Sequence, residues 1–260
     1  MLAKGAGDGV PFGQSSPFLS FINSATCYAN SSNLIGSYDD TVKFQQTVLA
    51  DLNNSVSKLV PSQDPGVIEG YKALYNANAQ NLLLSPVGQV ELLLYATGNI
   101  GGSTDDQTIS IQLALQHPFS QGRLYITTND AFDDPIIDPQ YLSHWADAQL
   151  MRQGVRLART FAAASPLKDV LGDEVKPGTT ITSDAAIDAY VANDITTEFH
   201  PANTLAMLPR NQGGVVDAKL KVYGLQNVRA VDASIFPVQF ASHVSLRSFI
   251  HLGMGLGLIL

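Results

Sequence analysis

The sequence of 260 residues is poor in cysteine and in charge. Cys27 is its one cysteine, so no disulfide can form within the chain. Lysine and arginine number 15 against 23 acidic residues, which gives a formal net charge of −8 at pH 7. Proteins use basic surface to neutralise nucleic-acid phosphates and to dock on anionic membranes, so this composition argues against both kinds of partner.

Long apolar runs are also absent. The most apolar segment, residues 249–260, is too short to span a bilayer and predicts a buried helix. The first residues hold no apolar stretch, so no signal peptide is visible. Glycosylation sequons begin at Asn30 and Asn53, and they matter only if the protein is secreted. No pair of histidines or cysteines has the spacing of metal ligands, so no metal site is predicted.

Helical patterns occur at several places in the sequence. Residues 1–60 are polar and predict an irregular lead-in. After them, Asp64 is suited to cap a helix, and apolar residues follow it at helical spacing. Further helices are predicted from about residue 143 to 163, from Ser183, and over residues 244–260. The chain is therefore expected to contain several helices.

Strand patterns lie between the predicted helices. Residues 109–115 alternate between apolar and polar side chains, which is typical of a half-buried strand. A turn and a second alternation at residues 124–126 follow, so these two strands are expected to pair antiparallel. A short strand is also predicted at residues 228–232. Because strands and helices are mixed without regular alternation, the sequence predicts an α+β fold rather than a doubly wound parallel sheet.

Two histidines, His200 and His243, mark the most informative part of the sequence. A lone histidine most often belongs to the core, but these two lie among short motifs in a characteristic order. The motifs are Gln116-His117-Pro118-Phe119-Ser120-Gln121-Gly122, Ile137-Asp138-Pro139-Gln140-Tyr141-Leu142, the block from Phe199 to Met207, Gly213-Gly214-Val215-Val216-Asp217, Leu220-Lys221-Val222-Tyr223-Gly224, and the run from Asn227 to Pro237.

This series of motifs resembles the C-terminal part of the glucose-methanol-choline (GMC) flavin oxidoreductases, most of all the glucose oxidase, glucose dehydrogenase and aryl-alcohol oxidase group. The resemblance covers roughly residues 116–260. Two positions depart from the family's pattern: Gln121 stands where arginine is usual, and Asn203 where glycine is usual. The resemblance implies an antiparallel sheet backed by helices, a C-terminal segment that returns to the FAD domain, and FAD as the cofactor.

The resemblance also implies roles for the two histidines. Oxidising an alcohol removes a hydride, which the flavin takes, and a proton, for which histidine is a suitable base near neutral pH. His200 is then the general base on the substrate hydroxyl. His243 is expected beside it, bonding the substrate and stabilising negative charge. Phe199 and Asn203, in the same block as His200, are expected on the substrate side.

Glu91 is a further candidate, because it stands within an apolar run from Leu82 to Tyr95. The family often has a carboxylate in this part of the chain that orients the second histidine, and a glutamate in an apolar run needs a partner. The alternative interpretation is an ordinary residue on the surface of a helix.

The flavin-contacting positions likewise follow from the resemblance. Asp232 and Ala233 are expected beneath the ribityl chain and pyrophosphate, although an aspartate that caps a turn would look the same in the sequence. Val244 and Ser245 are expected to open the last helix with its N–H groups toward the flavin pyrimidine. Lys221 and Val222 match positions near the oxygen-access side of sugar oxidases.

The expected organisation is a lead-in at residues 1–60, a substrate-binding domain at 61–198, and a C-terminal segment at 199–260 with the catalytic histidines and flavin contacts. The family's dinucleotide-binding glycine motif is not in this sequence. We therefore expect the chain to be a fragment of a longer enzyme, without its N-terminal Rossmann-like half. The expected partners are a small alcohol or sugar and oxygen or another electron acceptor, and the full-length protein is expected to be secreted.

Two questions stay open at the level of sequence. The chain could be a non-catalytic domain derived from the GMC family that never holds flavin. The substrate is also open, because the residues point in different directions. Glu198 stands where glucose-oxidising members usually carry asparagine, whereas Phe199-His200-Pro201 is closer to aryl-alcohol oxidising members and Ser242-His243-Val244 to sugar oxidases.

Overall fold

The computed structural model describes residues 25–95 and 108–241 and the backbone of residues 2–5. Its strands in chain order are β1 (Leu2–Gly5), β2 (Ala25–Ala29), β3 (Val90–Tyr95), β4 (Thr108–Leu115), β5 (Arg123–Tyr125), β6 (Ile136–Asp138) and β7 (Leu171–Lys176). Its α-helices are α1 (Ser31–Ile35), α2 (Tyr38–Ala50), α3 (Leu52–Leu59), α4 (Pro65–Asn76), α5 (Trp145–Ala162) and α6 (Asp184–Asp194).

Five of the strands form one antiparallel sheet in the order β2-β3-β4-β1-β7. Strands β5 and β6 form a separate two-stranded sheet. Helices pack against the large sheet, and their apolar side chains form its main core. The predicted α+β class, an antiparallel sheet backed by helices, is confirmed.

One face of the large sheet packs against helix α5. In the register of β3 with β4, Val90 lies opposite Leu115 and Leu92 opposite Leu113, and these side chains belong to the main core with α5. Gly154 of α5 permits this close packing, because a Cβ at that position would lie 3.3 Å from a methyl carbon of Val90. The opposite face of β3 carries the alternate side chains, among them Glu91.

Helix starts follow the predicted capping chemistry. Asp64 Oδ1 accepts the backbone N–H groups of Gly66 and Val67 at 2.7 and 3.2 Å, at the start of α4. Ser183 Oγ accepts the N–H of Ala186 at 3.2 Å, at the start of α6. Helix α5 differs in detail, since His144 rather than Ser143 provides its cap.

The prediction of an irregular lead-in is wrong for residues 31–59, which form α1, α2 and α3. The cause is a narrow apolar stripe: Phe44 and Val48, one helical turn apart in α2, are buried in the main core, while the other side chains of that helix are mostly polar. Tertiary burial of this stripe outweighs the polar composition that suggested a loop.

Three strand predictions also need correction. Strand β5 pairs with β6 and not with β4. Residues 228–232 form no strand, and only an isolated bridge joins Arg229 to Lys221. In the strand at 109–115, Ser110 and Ala114 of the polar face are as buried as Ile111, and only Gln112 of that face is exposed. The apolar run 82–95 becomes a strand from Val90 onward.

Residues 199–241 build a second, smaller core. Its buried members are Val216, Leu220, Ile235 and Phe236. A tight loop attaches this unit to helix α4, because a Cβ on Gly70 of that helix would lie 2.2 Å from the backbone oxygen of Gln212. The division of the chain at residues 60 and 198 stays a prediction.

We expect Gly214→Ala to lower the free energy of unfolding by about 1–3 kcal/mol or more, as in other overpacked sites. An added Cβ would lie 1.9 Å from the backbone oxygen of Leu208, so the loop would have to move. Urea unfolding followed by circular dichroism measures the change. The control is Gly224→Ala, where φ is +83° but no atom lies within 4 Å of the added Cβ. An equal loss for both variants would contradict the packing argument.

Candidate active site

His200 lies in a block of irregular backbone that needs two left-handed residues. Phe199 has φ of 61° and Asn203 has φ of 76°. Asparagine visits this region more readily than other non-glycine residues, which explains how it occupies a position where glycine is usual. His200 itself is half-buried, and the side chain of Phe199 is 80% exposed.

The His200 block is paired with the segment at residues 234–239. The N–H of Leu205 donates to the carbonyl of Ser234 at 2.9 Å, and the N–H of Met207 donates to that of Ile235 at 2.8 Å. Two side-chain amides continue the pairing. Asn203 Nδ2 donates to the Pro237 carbonyl at 2.5 Å, and Gln239 Nε2 donates to the His200 carbonyl at 3.3 Å. Sequence reasoning missed Gln239.

His243, Val244 and Ser245 lie outside the described residues. The last residue that the structure describes is Ala241, two residues after Gln239. The segment that leads to His243 is therefore held against the His200 block. The predicted pairing of the two histidines stays a prediction.

The candidate flavin-contacting turn begins at Asp232. Its Oδ1 accepts the N–H of Ser234 at 2.9 Å and the hydroxyl of the same serine, so Asp232 caps the short helical turn Ala233–Ile235. Asp232 is exposed, and Ala233 packs against the smaller core. The capping interpretation of Asp232 is thus correct, and the flavin contact stays a prediction.

Lys221 and Val222 belong to a neighbouring turn of the same unit. Asp217 Oδ1 accepts the N–H groups of Lys219 and Lys221 at 2.8 and 3.0 Å. The bond from the Lys221 N–H is the largest cause that holds the pKa of Asp217 below its usual range. Val222 packs against the smaller core. The structure gives these residues a role in the turn, and their position toward an electron acceptor stays a prediction.

Glu91 lies on strand β3 and is 1% exposed, so its alternative interpretation as a surface helix residue is wrong. Gln116 Nε2 donates to Glu91 Oε2 at 3.2 Å. Tyr28 on β2 is directly opposite Glu91 in the strand register. Partial burial, a hydrogen bond to Glu91 and the charges of Glu91 and Glu198 raise the pKa of the Tyr28 phenol to about 12. The sequence did not indicate that Tyr28 and Gln116 contact Glu91, because the pairing of separate segments cannot be read from the residues of one strand.

The turn at residues 116–122 is fixed by Asp147 of helix α5, which is 1% exposed. Its carboxylate accepts the N–H of Phe119 at 2.9 Å and the N–H of Ser120 at 2.7 Å. The N–H of His144 donates to Ser120 Oγ at 2.9 Å. Burial raises the pKa of Asp147 to about 6, although these donors act in the opposite direction. Sequence reasoning also missed Asp147.

Two buried histidines support this turn and not the His200 block. His144 Nε2 lies 3.1 Å from Tyr75 Oη and 3.5 Å from Asp51 Oδ2. His117 is 3% exposed. Burial lowers the pKa of each imidazole to about 4. Both are therefore neutral near pH 7 and belong to the core, as is most common for a lone histidine.

Within residues 25–95 and 108–241, no helix has the length and apolarity to cross a membrane. The same part of the chain holds no group of three or more histidine, cysteine, aspartate or glutamate residues that could bind a metal ion.

Known proteins share both the sequence and the fold. The chain is 37% identical over 227 residues to the GMC oxidoreductase family protein Mala s 12 of Malassezia sympodialis, covering 86% of this chain and 34% of that protein. It is 35% identical over 128 residues to pyranose dehydrogenase 3 of Leucoagaricus meleagris, covering 49% and 21%. The solved FAD-dependent oxidoreductase of Chaetomium thermophilum matches with a TM-score of 0.73 and 25% identity, covering 89% and 37%.

The matched residues assign the chain to a protein family. The family described as GMC oxidoreductase matches residues 118–249, just over half of the sequence. The chain belongs to the GMC oxidoreductase family, as the motifs predicted, and the family and its solved relative imply FAD as the cofactor. The chain spans about a third of the length of the Malassezia relative and of the solved chain.

We expect the free energy of unfolding to fall as the pH decreases from about 6.5 to about 4. The pKa of both buried histidines is about 4 in the folded chain, against an ordinary 6.5, so the unfolded chain binds protons first. Each histidine contributes a slope of up to about 1.4 kcal/mol per pH unit. Asp147 has the opposite sign, because its raised pKa makes the folded chain bind the proton first between about pH 6 and 4.

Urea unfolding from pH 4 to 7 measures these slopes. The variant His117→Gln should flatten the dependence, because one histidine and Asp147 then nearly cancel. The variant Asp147→Asn should steepen it, because both histidines remain without the opposing carboxyl. Slopes that stay at the wild-type value in both variants would contradict the assignment.

Proposed function

We propose that this chain is the substrate-facing part of an FAD-dependent oxidoreductase that acts on the CH–OH group of an alcohol or sugar. The observation that carries the proposal is the pairing of the His200 block with the segment that runs from Asp232 toward His243. This pairing brings the candidate base and the candidate flavin-contacting turn into one small unit with its own core. The proposal assigns substrate binding to residues 61–198 and catalysis to residues 199–260.

His200 is proposed as the general base. A neutral imidazole has one acceptor nitrogen, which can take the proton of a substrate hydroxyl while the other nitrogen carries a hydrogen. Bound FAD would supply the acceptor for the hydride. His243 is proposed to donate a hydrogen bond to the substrate oxygen. Glu91 is proposed to accept a hydrogen bond from His243, because a carboxylate partner fixes the tautomer and the direction of an imidazole ring.

The flavin side of the proposal fits the acceptors that the described residues offer. Asp232 is exposed, and Gln239 Oε1 is a buried oxygen without a hydrogen-bond partner in the described part of the chain. Such an acceptor needs a donor, and the ribityl hydroxyls and the N–H of a flavin pyrimidine are donors. Asp232 and Ala233, with Val244 and Ser245, would hold this part of FAD. Lys221 and Val222 are proposed for the side from which an electron acceptor approaches.

The substrate side is proposed at Phe199, Asn203 and the sheet face that carries Glu91. The exposed ring of Phe199 could cover an alcohol of aromatic or sugar type. The similarity to a pyranose dehydrogenase of Leucoagaricus meleagris supports a sugar within this class. Oxygen or another acceptor would reoxidise the flavin. Secretion and glycosylation of the full-length protein are part of the proposal, and Asn53 of the second sequon is exposed.

The test is flavin retention and reduction by the purified chain. After incubation with FAD and desalting, retained flavin absorbance that bleaches anaerobically with primary alcohols or aldopyranoses would show that the chain carries out the chemistry without the expected N-terminal half. His200→Gln should retain the same amount of flavin and slow the bleaching by about 100-fold or more, the usual effect of losing a general base.

The matched control is His251→Gln, a histidine to which no role is assigned, and its bleaching rate should equal that of the unchanged chain. A folded chain that retains no flavin would mean that its chemistry depends on the expected N-terminal half. If the His200→Gln variant retains flavin and its flavin is reduced at the unchanged rate, His200 is not the general base.

A further inference from the structure

Two side-chain amides join the His200 block to the segment that leads to His243. We propose that Asn203 and Gln239 are positioning residues, a pair of clamps that fixes the backbone of His200 against residues 237–239. The clamps use the amide N–H groups, whereas the proposed function places the Asn203 side chain on the substrate side and the Gln239 Oε1 acceptor on the flavin side. The role of the clamps in catalysis rests on the proposed function of His200.

The clamps stand where backbone pairing stops. The bonds from Leu205 and Met207 reach Ser234 and Ile235. Beyond them comes Pro237, which has no N–H and cannot extend a ladder of backbone bonds. At this point the side chain of Asn203 donates to the Pro237 carbonyl at 2.5 Å, and the side chain of Gln239 donates to the His200 carbonyl at 3.3 Å. Each bond goes to a backbone carbonyl, so the two side chains supply donors to this stretch of backbone.

Asn203 combines a left-handed backbone with a side-chain donor, and glycine has no side chain to donate. Its φ of 76° lies in the left-handed region, which glycine and asparagine adopt most readily. Glycine would satisfy the backbone alone, whereas asparagine also brings an N–H donor on a short side chain. The replacement of the usual glycine by Asn203 therefore adds a bond and keeps the turn.

The residues on either side of His200 lie at the surface. Phe199 is 80% exposed and Pro201 is exposed, so the residues on either side of His200 are not packed into the core. The two clamps hold the backbone at His200 and three residues later at Asn203. A reacting group needs placement to within about 1 Å, and fixed backbone on both sides of a base provides it.

The test uses nuclear magnetic resonance on the 260-residue chain without FAD. The variants are Asn203→Gly, which keeps the turn and removes the donor, and Gln239→Met, which keeps length and removes the donor. We expect each variant to move the imidazole resonance and the titration midpoint of His200, assigned through His200→Gln. Amide hydrogen exchange at Leu205 and Met207 should become about tenfold faster in each, as expected for the loss of a supporting hydrogen bond.

The controls are Asn227→Gly and Gln226→Met, the same changes at exposed amides of the 224–228 turn. They should leave the His200 resonance, its midpoint and both exchange rates unchanged. An unchanged His200 resonance and midpoint in both clamp variants would overturn the proposal, as would equal changes in the controls. If one clamp variant unfolds, the other decides, because each amide is removed separately.

The readout is independent of flavin chemistry. A chain that never retains FAD can still show the expected changes at His200. That result would support the clamps, although the proposed oxidation would not be supported. A chain that reduces flavin but shows none of these changes would overturn the clamps alone.

Discussion

The carboxylate of Asp147 is the interaction on which the scaffold of the candidate site depends. It lies in the first turn of α5, is almost fully buried, and accepts the backbone N–H groups of Phe119 and Ser120. A buried carboxylate is costly without donors, so the turn and the helix hold each other in place. The turn begins at Gln116, whose side chain donates to Glu91. One ionisable side chain thereby connects the helix layer, the end of β4 and the sheet face of the candidate site.

The sequence predicted the parts of the fold that depend on local chemistry. Asp64 and Ser183 cap helices as expected, because capping needs only the residues of one turn. The pairing of β5 with β6 and the helices of residues 31–59 were not predicted, because both depend on burial against distant parts of the chain. The α+β class could be predicted from the mixture of strands and helices, and the family resemblance implied the antiparallel sheet. Neither inference depends on the exact bounds of single elements.

Prediction of the site divides along a similar line. The motifs led to His200 and Asp232, and the apolar run with the family resemblance led to Glu91. They did not indicate Tyr28, Gln239 or the contact of Gln116 with Glu91, since each of these residues has its partner on another segment. Tyr28 faces Glu91 only because of the register of β2 with β3, and Gln239 reaches His200 only because two irregular segments run side by side. A single sequence does not show which separate segments lie in contact.

Most motif residues have a sufficient structural explanation, and Glu91 is the exception. Gly214 stands where no Cβ fits, Asp217 and Asp232 bond the N–H groups of their own turns, and Asn203 fits a left-handed backbone. Glu91 caps no helix and closes no turn. It puts a carboxylate, 1% exposed, on the face of β3 opposite Val90 and Leu92. An apolar or amide side chain at this strand position would cost less to bury. The fold therefore bears the cost of a buried carboxylate, which accepts a hydrogen bond from Gln116, and this cost is the physical argument for the role proposed for Glu91.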